Sequence, residues 1–112
     1  IEVCDMIVEE KKYQCLLKIL MDNRMSFSRV ELFKMYAHYM SEKDQATYTE
    51  HVIDDLRKHL SYAKSKSYGY IVDDIKGMYT CCEVSKKLIL DFVEEVEYNY
   101  GNRPALMRLL RN

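Results

Sequence analysis

The sequence predicts an all-α protein, a compact antiparallel bundle of five to six helices. Three observations carry this. Apolar residues recur at i, i+3, i+4 along most of the chain, the spacing that lines one helix face. Patterns of Ser or Thr followed three residues later by Glu, which start helices, stand in the chain. Only 3 Gly and 1 Pro occur in 112 residues, which disfavours β-rich and low-complexity classes. Alternating stretches such as Tyr68-Gly69-Tyr70-Ile71-Val72 are too short for a strand.

The first helix is expected over 2–21, with Cys4, Ile7, Val8, Cys15, Leu16, Ile19 and Leu20 as its apolar stripe. Lys11 and Lys12 interrupt that stripe, and Asp22-Asn23-Arg24 stops the helix. The second, over 29–41, opens on a capping box, Ser28-Arg29-Val30-Glu31, with Phe27 and Leu32 as its hydrophobic staple. Phe33, Tyr36, Ala37 and Met40 read as its core face. Leu32, Met35 and Tyr39 form a second apolar face, so the helix is either central or touches something outside the fold.

The third helix, over 45–64, buries Tyr48, Val52, Leu56, Leu60 and Ala63, widened by Ile53, with Thr47 and Glu50 as its cap. Residues 65–69 form the following turn. From 70 to 100, Ile75, Cys82, Ile89 and Val96 recur every seven residues, as do Ile71, Met78, Ser85 and Phe92. One unbroken helix there would be ~46 Å long, against ~34 Å for a globule of this size. The expectation is therefore a break, giving helices over 70–76 and 81–100. Gly77 would end the first, and Thr80 with Glu83 would cap the second between Tyr79 and Val84. The unshifted heptad phase argues for continuity. Gly101-Asn102-Arg103-Pro104 stops that helix and starts a last one over 104–111, tethered by Leu106, Leu109 and Leu110.

Residues 1–112 form one domain, at 13.4 kDa and 48% apolar content. The start at Ile1, without an initiator Met, reads as a piece of a larger protein. A net charge of -1 gives no basic excess for gripping phosphate backbones. Charge is locally biased: residues 1–10 hold Glu2, Asp5, Glu9 and Glu10 and no base. A helix-turn-helix reading would place Glu50, Asp54 and Asp55 near phosphates, which disfavours DNA. Lys64, Lys66, Lys86 and Lys87 are what remains for nucleic acid. No apolar run of membrane-spanning length occurs in this segment.

No catalytic, cofactor-binding or metal-ligating residue is assigned, and no cofactor is implied. The chain has no nucleophile elbow, phosphate loop or zinc-binding spacing. His51, Asp55 and His59 share one helix face, but the two His are too far apart to chelate one ion together with Asp55. Cys4, Cys15, Cys81 and Cys82 read as thiols of an intracellular protein, in cytoplasm or nucleus. Two bridges from Cys4 and Cys15 to the 81–82 pair would instead make a secreted helical ligand. The stretch Glu97-Tyr98-Asn99-Tyr100-Gly101-Asn102-Arg103 is similar to the Asn-Trp-Gly-Arg signature of apoptosis-regulating bundles. Pro104 falls where that family continues its helix, so no family is assigned.

The residues that stand out are 10 Tyr and 7 Met, types enriched in protein contacts. The function expected is a non-enzymatic interaction or assembly domain, an adaptor or oligomerisation module whose partner is another protein or a second copy. The docking residues would be Leu32, Met35 and Tyr39, with Leu106 and Leu110 of the last helix. Tyr36, Tyr48 and Tyr79 are instead expected to cap the rim of the core.

Overall fold

Seven α-helices and three short 3-10 turns make up the computed structural model, which describes residues 2–22 and 28–112; no strand occurs among them. The fold is all-α, as the periodicity predicts.

The 2–21 segment is not one helix. α1 spans Glu2–Glu9, a 3-10 turn Tyr13–Cys15, and α2 Leu16–Met21. Lys11 adopts a left-handed backbone with φ 58° between them. The chain reverses there because the apolar stripe lapses at Lys11 and Lys12, and nothing buried would reward continuing the helix. Cys4, Leu16 and Leu20 still reach the core from both halves.

α3 spans Arg29–Tyr36 and runs into a 3-10 turn, Ala37–Tyr39. Ser28 caps it, but its Oγ accepts from the Val30 amide at 3.2 Å rather than from Glu31. The staple residue Phe27 lies outside the described residues. Gln45, itself buried, donates through Nε2 to the Ala37 carbonyl at 2.7 Å and closes the turn.

α4 spans Glu42–Tyr62 and starts earlier than expected. Its cap is Ser41, whose Oγ accepts from the Asp44 amide at 3.1 Å. Thr47 lies inside the helix, donating to the Lys43 carbonyl at 3.0 Å. The opening turn carries no apolar stripe, so periodicity does not reveal it.

The 70–100 segment does break, three residues later than expected. α5 spans Tyr68–Tyr79 and α6 Glu83–Tyr100. Gly77 is helical and does not terminate α5; a Cβ there would meet Val30 Cγ1 at 2.6 Å, so glycine lets α3 and α5 touch. Thr80 Oγ1 donates to the Gly77 carbonyl at 2.8 Å and closes α5 instead of capping α6. Cys82 is the cap of α6, and its amide donates to Ser85 Oγ at 3.1 Å. Ser85, fully buried, donates onward to the Met78 carbonyl at 2.6 Å and ties the two helices across the junction. α7 spans Pro104–Arg111 with Pro104 in its first turn, as read.

α4 lies against α6, and α5 packs on α3, α4, α6 and α7. Phe33, Tyr48, Leu56, Ile75, Met78, Ile89 and Leu106 are among the fully buried side chains between them. Tyr48 is core rather than rim: its ring packs tilted against Phe33, with centroids 4.7 Å apart, and its hydroxyl donates to the Arg29 carbonyl at 2.9 Å. Tyr36 is likewise buried, whereas Tyr79 sits at the surface. The molecule measures 49 × 26 × 21 Å with a radius of gyration of 14.8 Å, somewhat longer than a sphere of its mass.

Candidate docking groove and ligand cleft

Of the five candidate partner-binding residues, two are not at the surface. Leu32 is 1% and Leu106 0% exposed. Leu32 is buried because α3 packs against both α2 and α5, although Met35 of the same apolar face stays exposed. Leu106 anchors α7 to the bundle. Met35 is 45% exposed, while Tyr39 and Leu110 are half-buried. Leu110 belongs to α7 and does not join the other two.

Met35 and Tyr39 face α1 across a groove of about 490 Å³. Val8, Met35 and Tyr39 give it an apolar floor, and Asp5 and Glu9 an acidic edge. Tyr39 is held by its neighbours: its ring stacks on Tyr13 at 5.5 Å and touches His38 at 4.1 Å. Tyr36 Oη donates to Asp5 Oδ1 at 2.7 Å, which fixes α1 against α3. Burial, reinforced by the Asp5 carboxylate, keeps the Tyr36 phenol well above its ordinary pKa. Val3 and Met6 of α1 are exposed but do not line the groove.

A second and larger concavity, about 530 Å³, lies between the C-terminal half of α4, the turn at 64–67 and the start of α5. Leu56, Ala63 and Ile71 line it, as do Tyr62 and Tyr70, which are 64% and 79% exposed. Arg29 closes one end, bonded to Asp55 and, at 3.4 Å, to Asp74. Burial works against an ionised Asp55, but the hydrogen bond and charge of Arg29 outweigh it and hold the carboxyl below its usual value. For Asp74 burial wins, and the carboxyl is raised despite Arg29. Leu56 and Ile71 are buried core residues, as their periodicity predicts, but the sequence did not show that a cleft opens beside them. The local signal was two tyrosines bracketing a lysine turn, Tyr62, Lys64, Lys66 and Tyr70.

His59 Nδ1 is 3.6 Å from Asp55 Oδ2, while His51 lies against Tyr48. Asp55 is thus committed to Arg29 and His59. Lys86 pairs with Glu83 at 3.7 Å and sits over the Tyr79 ring. Cys4, Cys15, Cys81 and Cys82 are free thiols. Burial pushes the Cys81 thiol up to about 11, so it is neutral at physiological pH. No described helix is long and apolar enough to cross a membrane. No family model, curated protein or solved structure matches the chain.

Proposed function

We propose that this chain is a protein-interaction domain, without catalytic activity of its own, that receives a cationic and apolar segment of a partner in the groove between α1 and α3. The observation behind the reading is the pairing of an exposed methionine floor, Met35 with Val8 and Tyr39, with the acidic edge of Asp5 and Glu9. Met adapts to varied partner shapes, and Tyr brings a large contact area at small entropic cost. Complementary charge sets register and speeds encounter. Residues 1–10 hold four acids and no base, with Lys11 and Lys12 following α1. An intracellular setting fits four free thiols, one of them exposed.

The test uses two amphipathic helical peptides with the same leucine face, one flanked by lysines and one by glutamates. In amide-detected NMR titration, the lysine peptide should shift Val8, Met35 and Tyr39, with weaker binding as salt rises. Equal binding of both peptides, or shifts centred elsewhere, would remove the assignment.

A further inference from the structure

The cleft between α4 and α5 is independent of the groove and has a different chemistry. Its floor is aliphatic, from Leu56, Ala63 and Ile71, and Tyr62 and Tyr70 leave large aromatic faces exposed at it. At its inner end Arg29 is shared by Asp55 and Asp74, so its charge is already taken up by carboxylates of the chain itself. Lys64 and Lys66 differ: both line the cleft, both are exposed, and neither has a carboxylate partner among the described residues. The volume, about 530 Å³, lies in the range of small-ligand sites, and apolar surface dominates the lining although charged residues stand around it.

We propose that this cleft binds a small amphiphilic anion, an aryl or short-chain carboxylate whose apolar body sits on Leu56, Ala63 and Ile71 between the two tyrosines, and whose charge meets Lys64 and Lys66. A cationic ligand is disfavoured, because Arg29 already occupies Asp74 and two unpaired ammonium groups stand beside it. A nucleotide triphosphate is disfavoured too, since no glycine-rich backbone cradle adjoins the cleft: no glycine is among its lining residues, and Gly69 has no glycine near it in sequence.

The experiment titrates the intact chain with 2-naphthoate and, separately, with its neutral counterpart 2-naphthamide, following backbone amides by NMR. Saturable shifts confined to the 56–74 region, with naphthoate binding tighter than the amide, are expected. The double substitution Lys64→Gln/Lys66→Gln should weaken naphthoate about tenfold and leave the amide unchanged. Ala63→Phe, which fills the floor, should abolish both. If a variant fails to fold, the acid-against-amide comparison on the unaltered chain decides alone. Scattered, non-saturating shifts, equal affinity for acid and amide, or dimerisation that excludes the probe from the cleft would each overturn the proposal. The groove experiment reads a different set of amides, so either assignment can fail without the other.

Discussion

Gly77 of α5 stands so close to Val30 of α3 that a single added methyl group would lie 2.6 Å from Val30 Cγ1. Val30 is 5% exposed and β-branched, so its side chain cannot swing away. Overpacking of this kind costs about 1–3 kcal/mol, and alanine's better helix propensity returns about 1 kcal/mol. Gly77→Ala should therefore lower stability by about 1 kcal/mol in urea unfolding. Combined with Val30→Ala, the loss should be well short of the sum of the two single changes, because Val30→Ala removes the Cγ1 that the methyl added at Gly77 would meet. Strict additivity would show that the helices do not touch there.

That contact also marks what a linear sequence conceals. Gly77 looks like a helix stop, and only the approach of α3, distant in sequence, shows why it sits mid-helix. Leu32 is the same case: periodicity reports two apolar faces on α3 but not that the packing of α2 and α5 buries Leu32 while Met35 on the same face stays exposed. What was legible was local. Ser28 before α3, Pro104 opening α7, the core face of Phe33 and Tyr36, and the existence of a break within 70–100, though expected three residues too early, all follow from neighbours within a few residues. The Ser41 cap was missed because its helix begins with a polar turn. Of the groove, Met35 and Tyr39 were visible, but their α1 partners required the reversal at Lys11.

Asp55 and Asp74 share Arg29 yet should respond oppositely to loss of charge. Asp55 is held below its ordinary value, so it contributes stability that is present above about pH 4 and is lost as pH falls through its lower folded value. Asp74 is held above, so its ionised form is a cost at neutral pH that disappears on acidification. At pH 7, Asp55→Asn should destabilise by about 1 kcal/mol, a figure reduced for its partial exposure. Asp74→Asn should be neutral or mildly stabilising. Denaturant unfolding at pH 7 and pH 3 checks both: the Asp55→Asn deficit should shrink at the lower pH.

Ser85→Ala should weaken the α5–α6 junction. It leaves the Met78 carbonyl and the Cys82 amide without the hydroxyl that serves both. The expected loss is about 1–2 kcal/mol in thermal or urea unfolding. Ser85→Thr, which keeps the hydroxyl but adds a methyl at a fully buried site, should also destabilise, through crowding. A neutral Ser85→Ala would mean that the junction is held by packing alone.

The thiols should separate by reactivity. Cys15 is exposed, Cys81 is half-buried with its pKa pushed up to about 11, and Cys4 is buried with its pKa raised by desolvation. A maleimide or disulfide reagent at neutral pH should label Cys15 first and Cys4 last, and denaturant should expose all four equally. Mass-resolved labelling over time reads the order, and early labelling of Cys4 would contradict the packing of α1.

The most direct measurement places a photo-crosslinking residue at position 35 in the groove, and a control at position 98, which is 90% exposed on α6. In the chain's native cellular background, position 35 should yield a discrete adduct to a partner peptide rich in lysine or arginine and apolar residues. Position 98 should not, and Glu9→Lys should sharply reduce the adduct. Equal adducts at both positions, or an adduct indifferent to Glu9→Lys, would contradict docking in the acidic groove between α1 and α3.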